Sequence, residues 1–440
     1  MGNQKGQIGF SVAISLVIGM VIGAGVFFKP YAVFSSTGAP GLGIVAWILG
    51  GILSIAGGLT AAEVSAAIPK TGGMAEYLKE TYGDVWGFLV GWCYSVIYFP
   101  AILAALGVIF ATQVVVLTGI SESMKTPIAI GIILFLMIVN FISTKLGGAV
   151  QTISTVCKLI PLAIIIIFGF MNGEGGSANL APMFSPDPSK SIVTSLGGAL
   201  VATLFAYDGW ISVGVIAGEM KNPAKDLPKA IISGLLVVMA VYISINIAYL
   251  YVLPASVLAT SETPAFEVAK VLFGANGGKI ITVGILISIF GTLNGNVLTG
   301  IRMPFAMGSE GKLPFSEFFA KLHPKYGTPV NAGLVMSIIA VLYTLSGQFN
   351  MLTDLVVFVV WMFYIMTFIA VFVLRKTRPD MPRPYKVPLY PVVPIIAIIG
   401  GVYVLYSTLV NQFVFASIGI GLTLLGLPVY YSLKKKHPEA

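Results

Sequence analysis

The chain is 440 residues long, 57% hydrophobic and only 10% charged, with a formal net charge of +8. Ordinary soluble domains carry about 25% charged residues, so a soluble fold of this length is excluded. A helical membrane span takes roughly 20 apolar residues, and a chain this long with short connections holds about twelve of them.

Apolar runs of sufficient length predict spans over 9–34, 42–67, 85–117, 127–145, 149–171 and 191–219. Six more follow over 228–252, 277–308, 329–346, 351–374, 389–411 and 414–432. The first run begins near Ile8 and continues into the first span, so no cleavable leader is expected. Between spans, 74–82, which follows Pro69-Lys70-Thr71-Gly72-Gly73, and 313–322 are amphipathic and predicted to lie at the membrane surface. The stretch 263–273 sets Glu267 and Lys270 among apolar residues and predicts a short helix over the outer mouth.

The basic residues are topological rather than a nucleic-acid footprint. With the amino terminus in the cytoplasm, nineteen of the 25 Lys and Arg fall on inner connections. Five, Lys29, Lys125, Lys190, Lys270 and Lys279, fall outside. The opposite orientation would invert this bias, so both termini are expected in the cytoplasm. Cys93 and Cys157 lie in apolar runs, where a thiol behaves as a small hydrophobe, and no disulfide framework is implied.

Two spans carry interruptions. In the first, Val21-Ile22-Gly23-Ala24-Gly25-Val26-Phe27 places two glycines midway through an apolar helix, and glycine leaves the helical region at low cost. If the helix opens, the amides of Ala24, Gly25 and Val26 stand at a new helix start that favours a carboxylate. The carbonyls of Val21 and Ile22 can then accept from an ammonium. The competing reading is that Gly19 and Gly23, spaced G-x-x-x-G, only admit a neighbouring helix.

The sixth span reads Phe205-Ala206-Tyr207-Asp208-Gly209-Trp210, an interruption holding a carboxylate, and buried carboxylates in spans are costly and usually functional. If it unwinds, carbonyls of Phe205, Ala206 and Asp208 join those of the first span, and Phe205 can cover the ligand as a gate. The substrate-binding set is therefore Val21, Ile22, Gly23, Ala24, Gly25, Val26, Phe205, Ala206, Tyr207, Asp208 and Gly209. Paired interruptions at matched positions are a signature of inverted-repeat transporters.

Lys158 lies roughly 14 Å into the fifth span at 1.5 Å per residue, too deep to snorkel. It is expected to bridge the first span near Gly19 and the eighth near Ser288; a purely structural cation pinning three helices is the other reading. Asp208 either faces the ligand's side chain or turns away to cap the unwound turn. Side-chain selectivity is expected from Tyr98, Thr292, Asn294, Asn296 and Tyr364, each of which can equally be an interhelical hydrogen bond. Glu63 and Arg302 are expected near the inner surface in local ion pairs, with no transport role.

The only histidines are His323 and His437, and no nucleophile, metal cluster or phosphate-binding loop is present, which disfavours an enzyme. No cofactor and no metal are expected. Paired breaks suit occlusion better than a continuous pore. A proton-coupled symporter with Lys158 as titrating group and a non-transporting amino-acid sensor remain as alternatives.

The two interrupted motifs, together with Ile68-Pro69-Lys70-Thr71-Gly72-Gly73 and Gly218-Glu219-Met220-Lys221-Asn222-Pro223, resemble the L-type amino acid transporter family of the amino acid, polyamine and organocation superfamily. The resemblance covers nearly the whole chain and is greatest to bacterial serine/threonine exchangers. It implies an all-α integral membrane fold of twelve transmembrane helices: a LeuT-like 5+5 inverted-repeat core with broken first and sixth helices, plus two peripheral helices. The core would be 1–375, with repeats 9–171 and 191–375, and the peripheral helices and tail 376–440. It further implies sodium-independent exchange of alanine, serine, threonine or cysteine across a bacterial plasma membrane, with Lys158 in place of a sodium ion. Animal relatives attach a heavy subunit through a cysteine between the third and fourth spans. The loop 118–126 has none, so no disulfide-linked partner is expected.

Overall fold

A computed structural model describes residues 9–68, 70, 72–142, 154, 157–211 and 220–436. Pro69, Thr71, Lys145, Gly218, Glu219, His437, the start of the fifth predicted span and residues 212–219 at the end of the sixth lie outside the described residues. The described residues form helices and turns, with no β-strand among them. Hydrocarbon offers no partner for a backbone N–H or C=O, and a helix satisfies these groups within one segment. Hydroxyls within the helices follow the same logic, as when Thr60 donates to the Ala56 carbonyl (2.7 Å) and Thr367 to that of Phe363 (2.9 Å).

In chain order the helices are α1 (Phe10–Val21), α2 (Gly25–Thr37), α3 (Pro40–Ala67), α4 (Met74–Tyr82), α5 (Asp84–Thr118), α6 (Lys125–Ile142), α7 (Leu159–Asn172) and α8 (Ile192–Ala206). There follow α9 (Pro223–Val252), α10 (Pro264–Gly300), α11 (Arg302–Ser309), α12 (Ser316–Ala320), α13 (Val330–Thr344), α14 (Phe349–Thr377), α15 (Val392–Asn411), α16 (Phe413–Leu424) and α17 (Gly426–Lys436). Among the described residues eight helical segments are long and apolar enough to cross a membrane, and α1 with α2, bent by 49°, makes a ninth. The shorter apolar helices α7, α8 and α13 occupy three further predicted spans.

The predicted surface helix 74–82 is α4, residue for residue. The helix predicted at 263–273 is present as residues 264–273, and a non-helical Gly274 (φ 72°, ψ 179°) separates it from the rest of α10. Of the amphipathic stretch 313–322 only α12 is helical, because Pro314 and the left-handed Phe315 (φ 58°) precede it. Lys29, assigned to the outer segments by sequence, is fully buried within α2.

The chain divides into two compact units. The first comprises Met1–Gly87, Gly169–Pro264 and Val360–Gln412. Its centre is α3, whose glycines let neighbours approach closely. A Cβ on Gly50 would lie 2.5 Å from Thr203 Oγ1 of α8, and one on Gly58 would lie 2.6 Å from Ile231 Cγ2 of α9. At the end of α3 the buried Glu63 carboxylate accepts from Arg375 Nε (2.8 Å) and Nη2 (2.7 Å) and from the Val387 amide (2.7 Å). Arg383 Nε stands 3.8 Å away. Glu63 thus has the local ion pair expected of it, while Arg302, in the other unit, is exposed.

Beside this cluster Glu80 of α4 accepts from Lys70 (2.6 Å) and Arg378 (3.0 Å). These hydrogen bonds, from Lys70 first and then Arg378, hold its carboxyl below the usual glutamate range. A depressed folded pKa means the contribution is present above the unfolded value and is lost as pH falls through the folded one. Protection of the α4 amides, the slowing of their exchange relative to the intrinsic rate at each pH, is therefore expected to fall on acidification below the ordinary glutamate pKa. Glu80→Gln should abolish that change in protection, and a protection independent of pH in the wild type would contradict the assignment.

The second unit comprises Phe88–Phe168, Ala265–Val359 and Phe413–Ala440. Here α5 contains a π-helical turn at Tyr94–Tyr98, and the Val96 carbonyl within it accepts from Tyr343 of α13 (3.2 Å). Trp92 Nε1 donates to the Leu422 carbonyl (2.9 Å) and Cys93 Sγ lies 3.3 Å from Thr423 Oγ1, which ties α5 to α16. Both cysteines are free thiols.

Candidate functional site

The break in the first span is real and has a local cause. Helix α1 closes its last turn with the Ile22 amide on the Ile18 carbonyl (2.9 Å), and Ile22 then leaves the helical region (φ −70°, ψ 100°). Helix α2 restarts at Gly25, so the amides of Gly25 and Val26 stand in a first turn, where a helix has no acceptor of its own. Val21, Ile22, Gly23, Ala24, Gly25 and Val26 are all buried.

In the sixth span α8 ends at Ala206 and the chain turns through Tyr207–Gly209, with the Asp208 amide on the Phe205 carbonyl (3.2 Å). Gly209 has φ 111°, which favours glycine. The two interruptions meet. A Cβ built on Gly25 would fall 2.7 Å from the Cα of Ala206, so no other residue fits there without a backbone shift.

A residue that the sequence reading missed joins them. The hydroxyl of the fully buried Tyr242 on α9 lies 2.9 Å from the Val21 carbonyl and 3.0 Å from the Ala206 carbonyl. A phenol has one proton and a carbonyl none, so two acceptors share a single donor there. Each oxygen keeps a lone pair for a further donor. Tyr242 packs at 5.0 Å from Tyr207 and 5.5 Å from Trp47, ring centre to centre. Tyr207, placed in the site by sequence, turns into this cluster and donates to the Trp47 carbonyl (3.1 Å). A tyrosine in an apolar span carries no local signal of such a role.

Two more predicted residues come together in this unit. Asp208 Oδ1 accepts from the Tyr364 hydroxyl on α14 (2.7 Å), so the carboxylate is engaged by a side chain of the fold. Phe205, half-buried, carries the Lys29 ammonium over its ring, 5.1 Å from the centre. Gly19 lies on α1, one turn before the break.

The other candidates lie in the second unit. Lys158 and Ser288 are both buried, and the Ser288 hydroxyl has no hydrogen-bond partner among the described residues. Asn294 accepts from Asn140 of α6 (2.9 Å), an interhelical bond. Thr292 and Asn296 donate to carbonyls one turn back on α10 (2.9 and 2.8 Å). Tyr98 closes the π-helical turn and stacks on Tyr94 at 4.6 Å.

Residues 8–430 match the amino acid permease family. The chain is 46% identical over 433 residues to the serine/threonine exchanger SteT of Bacillus subtilis, covering 98% of each protein. It is 32% identical over 414 residues to the human b(0,+)-type amino acid transporter 1, covering 92% of this chain and 83% of that one. With the human cystine/glutamate transporter it shares 30% identity over 440 residues, 98% of this chain and 86% of the relative. These relatives are named as transporters and an exchanger, not as enzymes. The multi-span helical fold, the interrupted first span and matches along nearly the full length agree, and the chain belongs to the amino acid permease family.

Proposed function

We propose that this protein is a sodium-independent exchanger of small neutral amino acids in a bacterial plasma membrane, working by alternating access. The observation that carries the reading is the meeting of the two interruptions, with helix-start amides on one side and two carbonyls sharing one phenolic proton on the other. Amides at a helix start suit a carboxylate, and proton-poor carbonyls suit an ammonium. One backbone constellation thereby matches both ends of a zwitterion without a charged side chain in hydrocarbon. The substrate class is taken from the relative named as a serine/threonine exchanger.

The eight long segments, the bent pair and the three shorter apolar helices support twelve spans. They are arranged as an inverted-repeat core over 1–375, with repeats 9–171 and 191–375, and peripheral spans and tail over 376–440. Both termini are cytoplasmic, following the bias of the basic residues. The zwitterion binds along Val21 to Val26 and Phe205 to Gly209, and Phe205 closes over it. Lys158 stands where a sodium ion would otherwise hold the first and eighth spans, bridging Gly19 and Ser288. Side-chain selectivity comes from Tyr98, Thr292, Asn294, Asn296 and Tyr364. No disulfide-linked heavy subunit is involved, as the loop 118–126 lacks a cysteine. The burial of Lys158 also favours a second reading, a proton symporter titrating that ammonium.

The test is uptake of labelled serine by purified protein in sodium-free liposomes at equal pH on both sides. Uptake is expected only when unlabelled amino acid is inside. Uptake into empty vesicles driven by an imposed proton gradient would establish the symporter instead. Binding without flux would make the protein a sensor.

A further inference from the structure

The most unusual charged residue in the first unit is Lys29, whose side chain has no solvent exposure and lies one turn beyond the helix start at Gly25. Residues four apart share a helix face. On α2 that face meets the end of α8 twice, with Gly25 against Ala206 and the Lys29 ammonium over the ring of Phe205, 5.1 Å from its centre. The face of an aromatic ring is electronegative, and a desolvated cation there is held much more strongly than at an exposed site. The position of the ring in the interrupted span is therefore coupled to a charge on the other interrupted span. Packing alone would place any apolar side chain at 29; the ammonium, costly to bury, adds an attraction that depends on the ring's electrons.

We propose that Lys29 is a positioning residue for transport, holding the Phe205 ring through a cation–π contact so that it is set to close over bound substrate. This rests on the reading of Phe205 as the gate. It assigns Lys29 no contact with substrate, and it leaves room for other partners of that ammonium. The two interruptions are thus joined at two levels, by the Tyr242 hydroxyl on the backbone and by the Lys29 charge on the side chain that covers the site.

The experiment is serine exchange by reconstituted full-length protein in which Phe205 is replaced by mono-, di- and trifluorophenylalanine. Fluorination drains the ring's negative face while changing its shape little. The concentration of external serine giving half-maximal exchange is expected to rise stepwise along the series. By the trifluoro member it should reach about tenfold, within the range of a desolvated cation–π contact. Lys29→Arg should keep near-normal exchange, since guanidinium binds a ring face as well. Lys29→Met should raise the half-maximal concentration in the normal ring and render the fluorination series flat.

A flat series in the protein with native Lys29, or a series that still climbs in Lys29→Met, overturns the proposal. Should Lys29→Met not fold, the fluorinated series with native Lys29 decides alone. Phe205→Leu separates this outcome from failure of the gate itself. Impaired exchange in Phe205→Leu with a flat fluorination series leaves the gate standing and removes Lys29 from it. Unimpaired exchange in Phe205→Leu removes the gate, and the proposal with it.

Discussion

Glu63→Gln is expected to destabilise the first unit by about 3 kcal/mol, the low end of the range for removing one partner of a buried ion pair. The low end applies because Glu63 is 3% exposed while Arg375 keeps 24% of its side chain accessible. Glutamine preserves the shape but replaces one acceptor oxygen by an NH2 group. Both carboxylate oxygens are in use: Oε1 accepts from Arg375 Nε, while Oε2 accepts from Arg375 Nη2 and the Val387 amide. Either orientation of the amide therefore sets donor against donor and leaves part of a guanidinium unpaired. Thermal unfolding in detergent checks this. Because the two residues share one network, Glu63→Gln with Arg375→Gln should cost less than the sum of the single changes. A loss below about 0.5 kcal/mol for Glu63→Gln, the scale of an ordinary surface substitution, would show that the cluster does not hold the end of α3 to the segment after α14.

Tyr242→Phe is expected to reduce exchange by roughly tenfold to a hundredfold while leaving the folded protein intact. Only one oxygen is lost, and the ring keeps its packing between Tyr207 and Trp47. Its removal leaves the Val21 and Ala206 carbonyls, both buried, without the proton they share. Leaving a buried acceptor unsatisfied costs about 1–3 kcal/mol. At about 1.4 kcal/mol per tenfold, that becomes a large change in rate or affinity if the cost falls on states with no ammonium in the site. The measurement is exchange kinetics of Tyr242→Phe in liposomes beside its thermal stability. Normal kinetics would mean that the phenol braces the two interruptions for stability only. Unaltered folding with impaired exchange would place it in the transport cycle.

Much of the architecture was legible in the sequence because a bilayer imposes a length and a polarity on every span. Apolar runs gave the helices to within a few residues, as in α3, α5 and α15, and the amphipathic period of 74–82 gave α4 without error. The first interruption was legible too, since two glycines amid branched apolar residues leave one cheap place for the helix to open. The opening is made by the backbone, so the motif and the break coincide in the chain.

Tertiary structure decided what depends on residues far apart in sequence. Tyr242, 221 positions from Val21, reaches it only because α9 packs against both interruptions, and no local pattern marks that tyrosine among others in apolar spans. The same holds for the contact of Asp208 with the Tyr364 hydroxyl, 156 positions away on α14. Lys29 was assigned to the outer segments by the alternation of connections, which says nothing of its burial. Packing against α8 buries it, with an aromatic face to receive the ammonium. Sequence by itself determined the class of molecule, most of its long apolar helices and the place of the first break, because these follow from local transfer free energies and backbone freedom. Which side chains brace that break was decided by the fold, because a hydrogen bond or a cation–π contact exists only once distant segments have been brought within a few ångströms.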